Sequence, residues 1–118
     1  MSTFNHSGLM QDINASLAPF RKSQPEAMAG FGQLAKAAMT DGALNAKQKE
    51  LIALAIGITQ HCSGCIGFHV KALHKLECTR DELEEMLAVC VYMGGGPALM
   101  YAAETMKAWE TLATPVKA

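Results

Sequence analysis

Apolar residues return at helical intervals along most of the chain. Leu9, Ile13, Leu17 and Phe20 are spaced for one face of a first helix. The stretch "SQPE" then restarts the chain. Ser23 suits a cap, Pro25 a first helical turn, and Glu26 the return partner of a capping box. Phe31, Leu34, Ala35 and Ala38 form an apolar stripe behind it, and "TDG" at 40–42 ends that helix. A third helix is predicted after Asn45, with Gln48 placed for a capping box, running to about Ile58. "TQH" turns the chain, and a fourth helix is predicted from near Cys62 to about Leu76. Thr79 and Glu82 form another capping box, ahead of a fifth helix whose stripe is Leu83, Met86, Leu87 and Cys90. "GGG" at 94–96 stops it, and Pro97 opens a sixth helix that reaches Trp109. No segment reads strongly as a strand. The pattern predicts one all-α domain over 1–118, about six helices, with 1–22 as an N-terminal helical extension.

Composition narrows the function classes. Hydrophobic residues make up 50% of the 118. Several of the predicted helices are apolar nearly all round, which implies contacts between subunits as well as a core. The net charge is −1 and the basic residues are scattered, so no nucleic-acid or anionic-membrane partner is indicated. The start lacks the charged and apolar regions of a signal peptide. The longest apolar run, Leu51 to Ile58, has eight residues, far short of the roughly 20 of a membrane helix. These features place the protein in the cytoplasm. Four cysteines there are not expected to be a structural disulfide framework, and a closely spaced pair points to redox or metal chemistry.

The informative stretch is "ELIALAIGITQHCSGCIGFH" at 50–69. Each helical residue turns about 100°, so Cys65 lies about 60° and His69 about 20° back from Cys62. All three therefore share one face, together with Ile66, Leu73 and Leu76, and that face is the interior one. Glu50 precedes the end of its helix by about 12 Å, and His69 follows the start of the next by about 10 Å, at roughly 1.5 Å per residue. An antiparallel hairpin brings the two level. His69 is then placed to take the proton of Cys65, one turn away, with Glu50 to hold and orient the imidazole. Cys62, one turn before Cys65, can close a disulfide on an oxidised sulfur. The set reads as a redox thiol pair with a proton relay.

The pattern "E-x11-C-x-x-C-x-x-x-H", with the later "GGGPALMYA", resembles the carboxymuconolactone decarboxylase superfamily, in its AhpD-like alkylhydroperoxidase branch. The resemblance spans roughly 25–112. It implies an all-α fold with a CxxC helix hairpin, and a homo-oligomer, often a trimer or hexamer. It implies thiol-dependent reduction of a hydroperoxide, recycled by a dithiol or protein reductant, with no cofactor or metal. Carried over by position, Glu50 and His69 are the relay, Cys65 the peroxide-attacking thiol and Cys62 the resolving thiol. One position departs: the best-studied members of that branch carry a histidine just before the second cysteine, where this chain has Gly64, and here His61 precedes the first cysteine instead. The decarboxylases that name the superfamily generally lack the cysteine pair, so a lactone-processing enzyme is the weaker alternative.

Zinc is the other alternative, since Cys62, Cys65 and His69 with His61 or His74 supply four possible ligands. Closed zinc sites, however, usually draw two ligand pairs from separate elements. Cys78 and Cys90 read as packing residues, His6 and His74 as surface residues, and the "GGGP" stretch as a helix junction rather than a phosphate cradle.

Overall fold

The computed structural model describes residues 4–113. They form α1 (His6–Ser23), α2 (Pro25–Met39), α3 (Ala46–Thr59), α4 (Ser63–Lys75) and α5 (Arg80–Thr111), with no strand among the described residues. The chain is all-α. The fifth and sixth predicted helices run together as α5, broken only at Gly95, whose φ of 70° and ψ of −150° are not helical. That conformation is open essentially to glycine alone. Pro97 therefore does open a new helical segment, but the axis resumes at once instead of passing through a loop.

Local signals explain most boundaries. Asn45 accepts from the Gln48 backbone N–H while the Gln48 side chain accepts from the Asn45 backbone, and Thr79 with Glu82 does the same for α5. The predicted box at Ser23 is not formed. Ser23 ends α1, its hydroxyl donating to the Phe20 carbonyl at 3.1 Å, and Gln24 caps α2 without a side-chain hydrogen bond. A proline disfavours the helical conformation in the residue before it, and although Ala18 before Pro19 stays helical within α1, Gln24 before Pro25 leaves it, at φ −130° and ψ 61°.

The core is built by α3, α4 and α5 around Leu54, Ile58, Ile66, Val70, Leu73, Leu83, Leu87 and Cys90. Helix α1 lies across α4, and α2 buries no residue at all. Its predicted stripe faces outward, with Phe31 67% and Leu34 64% exposed. Val89, Tyr92, Met93, Leu99 and Met100 on α5 are also exposed. By length and composition alone α5 is long and apolar enough to cross a membrane, a feature that the core helix of a soluble protein shares. Residues 86–103 are uncharged, but they are interrupted by glycines and Pro97. In this fold α5 is bent at Gly95, and its Leu83, Leu87, Cys90, Ala98, Ala102 and Ala108 are buried.

Two histidines read as surface residues are not. His6 is fully buried, and its Nε2–H donates to Glu104 at 2.8 Å across 98 residues of sequence. Its Nδ1 has no hydrogen-bond partner among the described residues. His74 stacks on Trp109, ring centroids 3.8 Å apart, and donates from Nε2 to the Trp109 carbonyl at 2.9 Å. Leu76, placed on the interior face by helical rotation, is 39% exposed, because α4 ends at Lys75 and the chain turns through Glu77 at φ 58°.

Candidate redox site at the start of α4

Helices α3 and α4 form the most extensive helix pairing in the molecule. The turn between them is tight. The N–H of His61 donates to Ile58 O and that of Cys62 to Gly57 O, at 3.1 and 2.9 Å. This is a Schellman ending of α3, and its left-handed position, normally glycine, is His61 at φ 57°. The exposed His61 ring lies flat on Tyr101 of α5, centroids 4.7 Å apart and planes 3° from parallel. Cys62 then becomes the N-cap of α4, its sulfur accepting the Cys65 backbone N–H at 3.1 Å.

Cys62 and Cys65 are joined in a disulfide, with Cα atoms 5.2 Å apart. Both are half-buried. Cys78 and Cys90 are free and buried, and burial pushes both thiols up from their ordinary range. Raised in this way, they are weaker nucleophiles at neutral pH than an ordinary exposed thiol.

The acid and the imidazole meet across the hairpin. His69 Nδ1–H donates to Glu50 Oε1 at 2.7 Å, with side chains 30% and 15% exposed. A carboxylate can only accept, so Nδ1 carries the proton and Nε2 is the nitrogen with a free lone pair. Four residues after Cys65, His69 stands one helical turn along the same face. The structure thus pairs Glu50 with His69 about midway along the α3–α4 hairpin and Cys62 with Cys65 at its turn, one helical turn of α4 before His69.

Glycines set how closely the helices approach. A Cβ at Gly57 would stand 2.9 Å from Cys65 Cβ, so α3 touches the thiol helix directly at the second cysteine. A Cβ at Gly64 would stand 2.8 Å from Ile13 Cδ1, and one at Gly67 2.9 Å from the Met10 sulfur. Helix α1 therefore lies in the space that a histidine at residue 64 would need. The sequence reading missed the Gly57 contact, although a glycine inside the apolar run of α3 was its signal. Nothing local in the sequence announced Tyr101 beside His61.

No three His, Cys, Asp or Glu side chains among the described residues converge to hold a metal ion. His74 is turned to Trp109, and the two sulfurs are bonded to each other.

Comparison with known proteins agrees with this architecture. A crystal structure of the apo form of a carboxymuconolactone decarboxylase family protein from Legionella pneumophila superposes with a TM-score of 0.90. It is 54% identical and covers 92% of this chain and 97% of its own. An uncharacterized protein of Cupriavidus necator is 38% identical over 103 residues, 87% of this chain and 91% of its own. An uncharacterized protein from the cox locus of Paracoccus denitrificans is 30% identical over 93 residues, 79% of this chain and 84% of its own. The family model for carboxymuconolactone decarboxylases matches residues 25–108, from the start of α2 to near the end of α5. The chain belongs to the carboxymuconolactone decarboxylase family.

Proposed function

We propose that the protein is a thiol-dependent peroxidase and disulfide oxidoreductase of the AhpD-like kind, with Glu50, Cys62, Cys65 and His69 as its working residues. The reading is carried by one observation: a disulfide at a helix N-terminus lies one turn from a histidine held by a carboxylate. In the reduced protein, His69 Nε2 takes the Cys65 proton. The N-terminal N–H groups of α4 favour the resulting thiolate. The thiolate attacks the terminal oxygen of a hydroperoxide. The O–O bond breaks, the sulfur becomes a sulfenic acid, and the alcohol leaves with the proton returned from His69. Cys62 attacks that sulfur, water leaves, and the observed disulfide results. An external dithiol restores both thiols by two exchange steps and is itself oxidised to a disulfide.

The cysteine pair is what separates this reading from lactone decarboxylation within the same family. The bare apolar faces of α2 and α5 support assembly into a homo-oligomer, while a trimer or hexamer rests on the resemblance to the AhpD-like branch, and a place in the cytoplasm on the sequence reading. The direct test is turnover of a panel of hydroperoxides by the reduced protein with small dithiols and thioredoxin-like donors. Loss of two free thiols per chain on one equivalent of peroxide, with alcohol produced in step, supports the proposal. Peroxide left unconsumed by fully reduced protein would sink it.

A further inference from the structure

The face of α4 that α1 covers does more than replace a histidine. Rotation of about 100° per residue puts Gly64, Gly67, Lys71 and Lys75 on one face, within about 80° of each other. At the glycine end α1 sits in contact, through Ile13 and Met10. Toward the lysine end the helices part, leaving a cleft of about 320 Å³. Lys71 and Lys75 form its α4 wall, and Ser7, Gln11 and Asn14, spaced along one face of α1, form the wall opposite. Met10 lies between the walls and Leu112 closes an end, so the cleft also has apolar surface.

The charge is unbalanced. No acidic side chain lines the cleft, and neither lysine has an ion-pair partner among the described residues. Lys47 and Arg80, by contrast, are each paired. A cation at a helix C-terminus accounts for Lys75, in the last turn of α4, since that effect fades within one turn. It does not account for Lys71, or for three hydrogen-bonding side chains gathered opposite. A pocket with apolar surface and a few convergent polar groups is the usual form of a small-ligand site, and this one is at the small end of the range.

We infer that this cleft binds a small amphipathic organic anion, with a carboxylate or phosphate-monoester head on a short apolar body. Lys71 and Lys75 hold the head, Ser7, Gln11 and Asn14 complete its hydrogen bonds, and Met10 and Leu112 contact the body. Helix α1 lies outside the 25–108 stretch matched by the family model, so the site depends on the N-terminal helix. It is independent of the thiol chemistry.

The test is titration of the full chain with hexanoate, hexyl phosphate, inorganic phosphate and hexanol, followed by calorimetry and amide chemical shifts. At least one of hexanoate and hexyl phosphate should bind saturably, and which binds tighter identifies the head. Inorganic phosphate and hexanol should each bind about tenfold more weakly, or worse, a difference of about 1.4 kcal/mol. The exposed double substitution Lys71→Gln, Lys75→Gln should keep the helical circular dichroism and lose about tenfold in affinity. The inference is overturned if neither anion saturates below about 10 mM. It is overturned equally if hexanol matches the anions, or if the double variant binds as well as the parent.

Discussion

Gly57 lies so close to Cys65 that a Cβ on residue 57 would stand 2.9 Å from the cysteine's own Cβ. That contact sets the spacing of α3 and α4 where the redox pair sits. In a free helix, Gly57→Ala would stabilise by about 1 kcal/mol through backbone entropy. Here the opposing contact is a Cβ, with the Cys65 backbone carbonyl carbon at 4.0 Å, and neither can swing aside as the tip of a long side chain can. Overpacking of this kind costs about 1–3 kcal/mol. Gly57→Ala should therefore lower the denaturation midpoint and make the Cys62–Cys65 disulfide easier to reduce, which urea unfolding and a dithiothreitol titration would register.

The Gly64 contact has the opposite character. The nearest atom to a Cβ there is Ile13 Cδ1, the end of a flexible side chain. Gly64→Ala should be close to neutral. Gly64→His, which introduces the histidine of the best-studied AhpD-like proteins, needs far more room and should displace α1 at a cost of about 1–3 kcal/mol. Adding Ile13→Ala should recover part of that loss. Strict additivity of the two changes in a double-mutant cycle would show that α1 does not occupy the histidine's place.

How legible was this molecule? Glu50 and His69 could be paired in advance because helical rise is regular, and the two residues lie at similar distances from one short turn. The caps at Asn45 and Thr79 were legible because capping is local chemistry. The two misread histidines depend on partners far along the chain, whereas the helix-boundary errors depend on which of two local signals wins. His6 looked like a surface residue because its partner, Glu104, is 98 residues away. His74 is tied to Trp109, 35 residues on. Ser23 lost its cap to the conformational restriction that Pro25 places on Gln24. The three glycines read as a full stop, but only Gly95 leaves the helical conformation.

Acid sensitivity should begin at the joint between α3 and α5. Lys47 Nζ lies 2.7 Å from Glu82 Oε2, and this hydrogen bond, with the Thr79 backbone N–H, lowers the Glu82 carboxyl to about 2. An unfolded glutamate titrates near 4.3, so between those values the unfolded chain binds more protons. The stabilisation is present in full above the unfolded value and is lost as pH falls through the folded one. Lys47→Met should shrink the loss of stability between about pH 4 and 2, relative to the parent. Parallel pH–stability curves for the two proteins would contradict this.

Helix α2 should be covered by another copy of the chain. It buries nothing within its own subunit, yet Phe31 and Leu34 are 67% and 64% exposed. Apolar patches of this kind mark association surfaces. Light scattering at micromolar concentration should give a multiple of 12.6 kDa, and Phe31→Glu with Leu34→Glu should reduce it. A parent protein already monomeric under those conditions would count against assembly.

The relay itself is tested most directly by the rate at which Cys65 is alkylated as a function of pH, in a Cys62→Ser background. Glu50→Gln keeps the shape of the side chain and removes its charge, and His69→Ala removes the base. Each should slow alkylation at neutral pH by about 10²-fold and move the profile to higher pH. The double variant should be little worse than either single one, because groups that act as a unit are not additive. A Glu50→Gln profile that overlays the parent's would contradict the account and leave the helix N-terminus alone to activate the thiol.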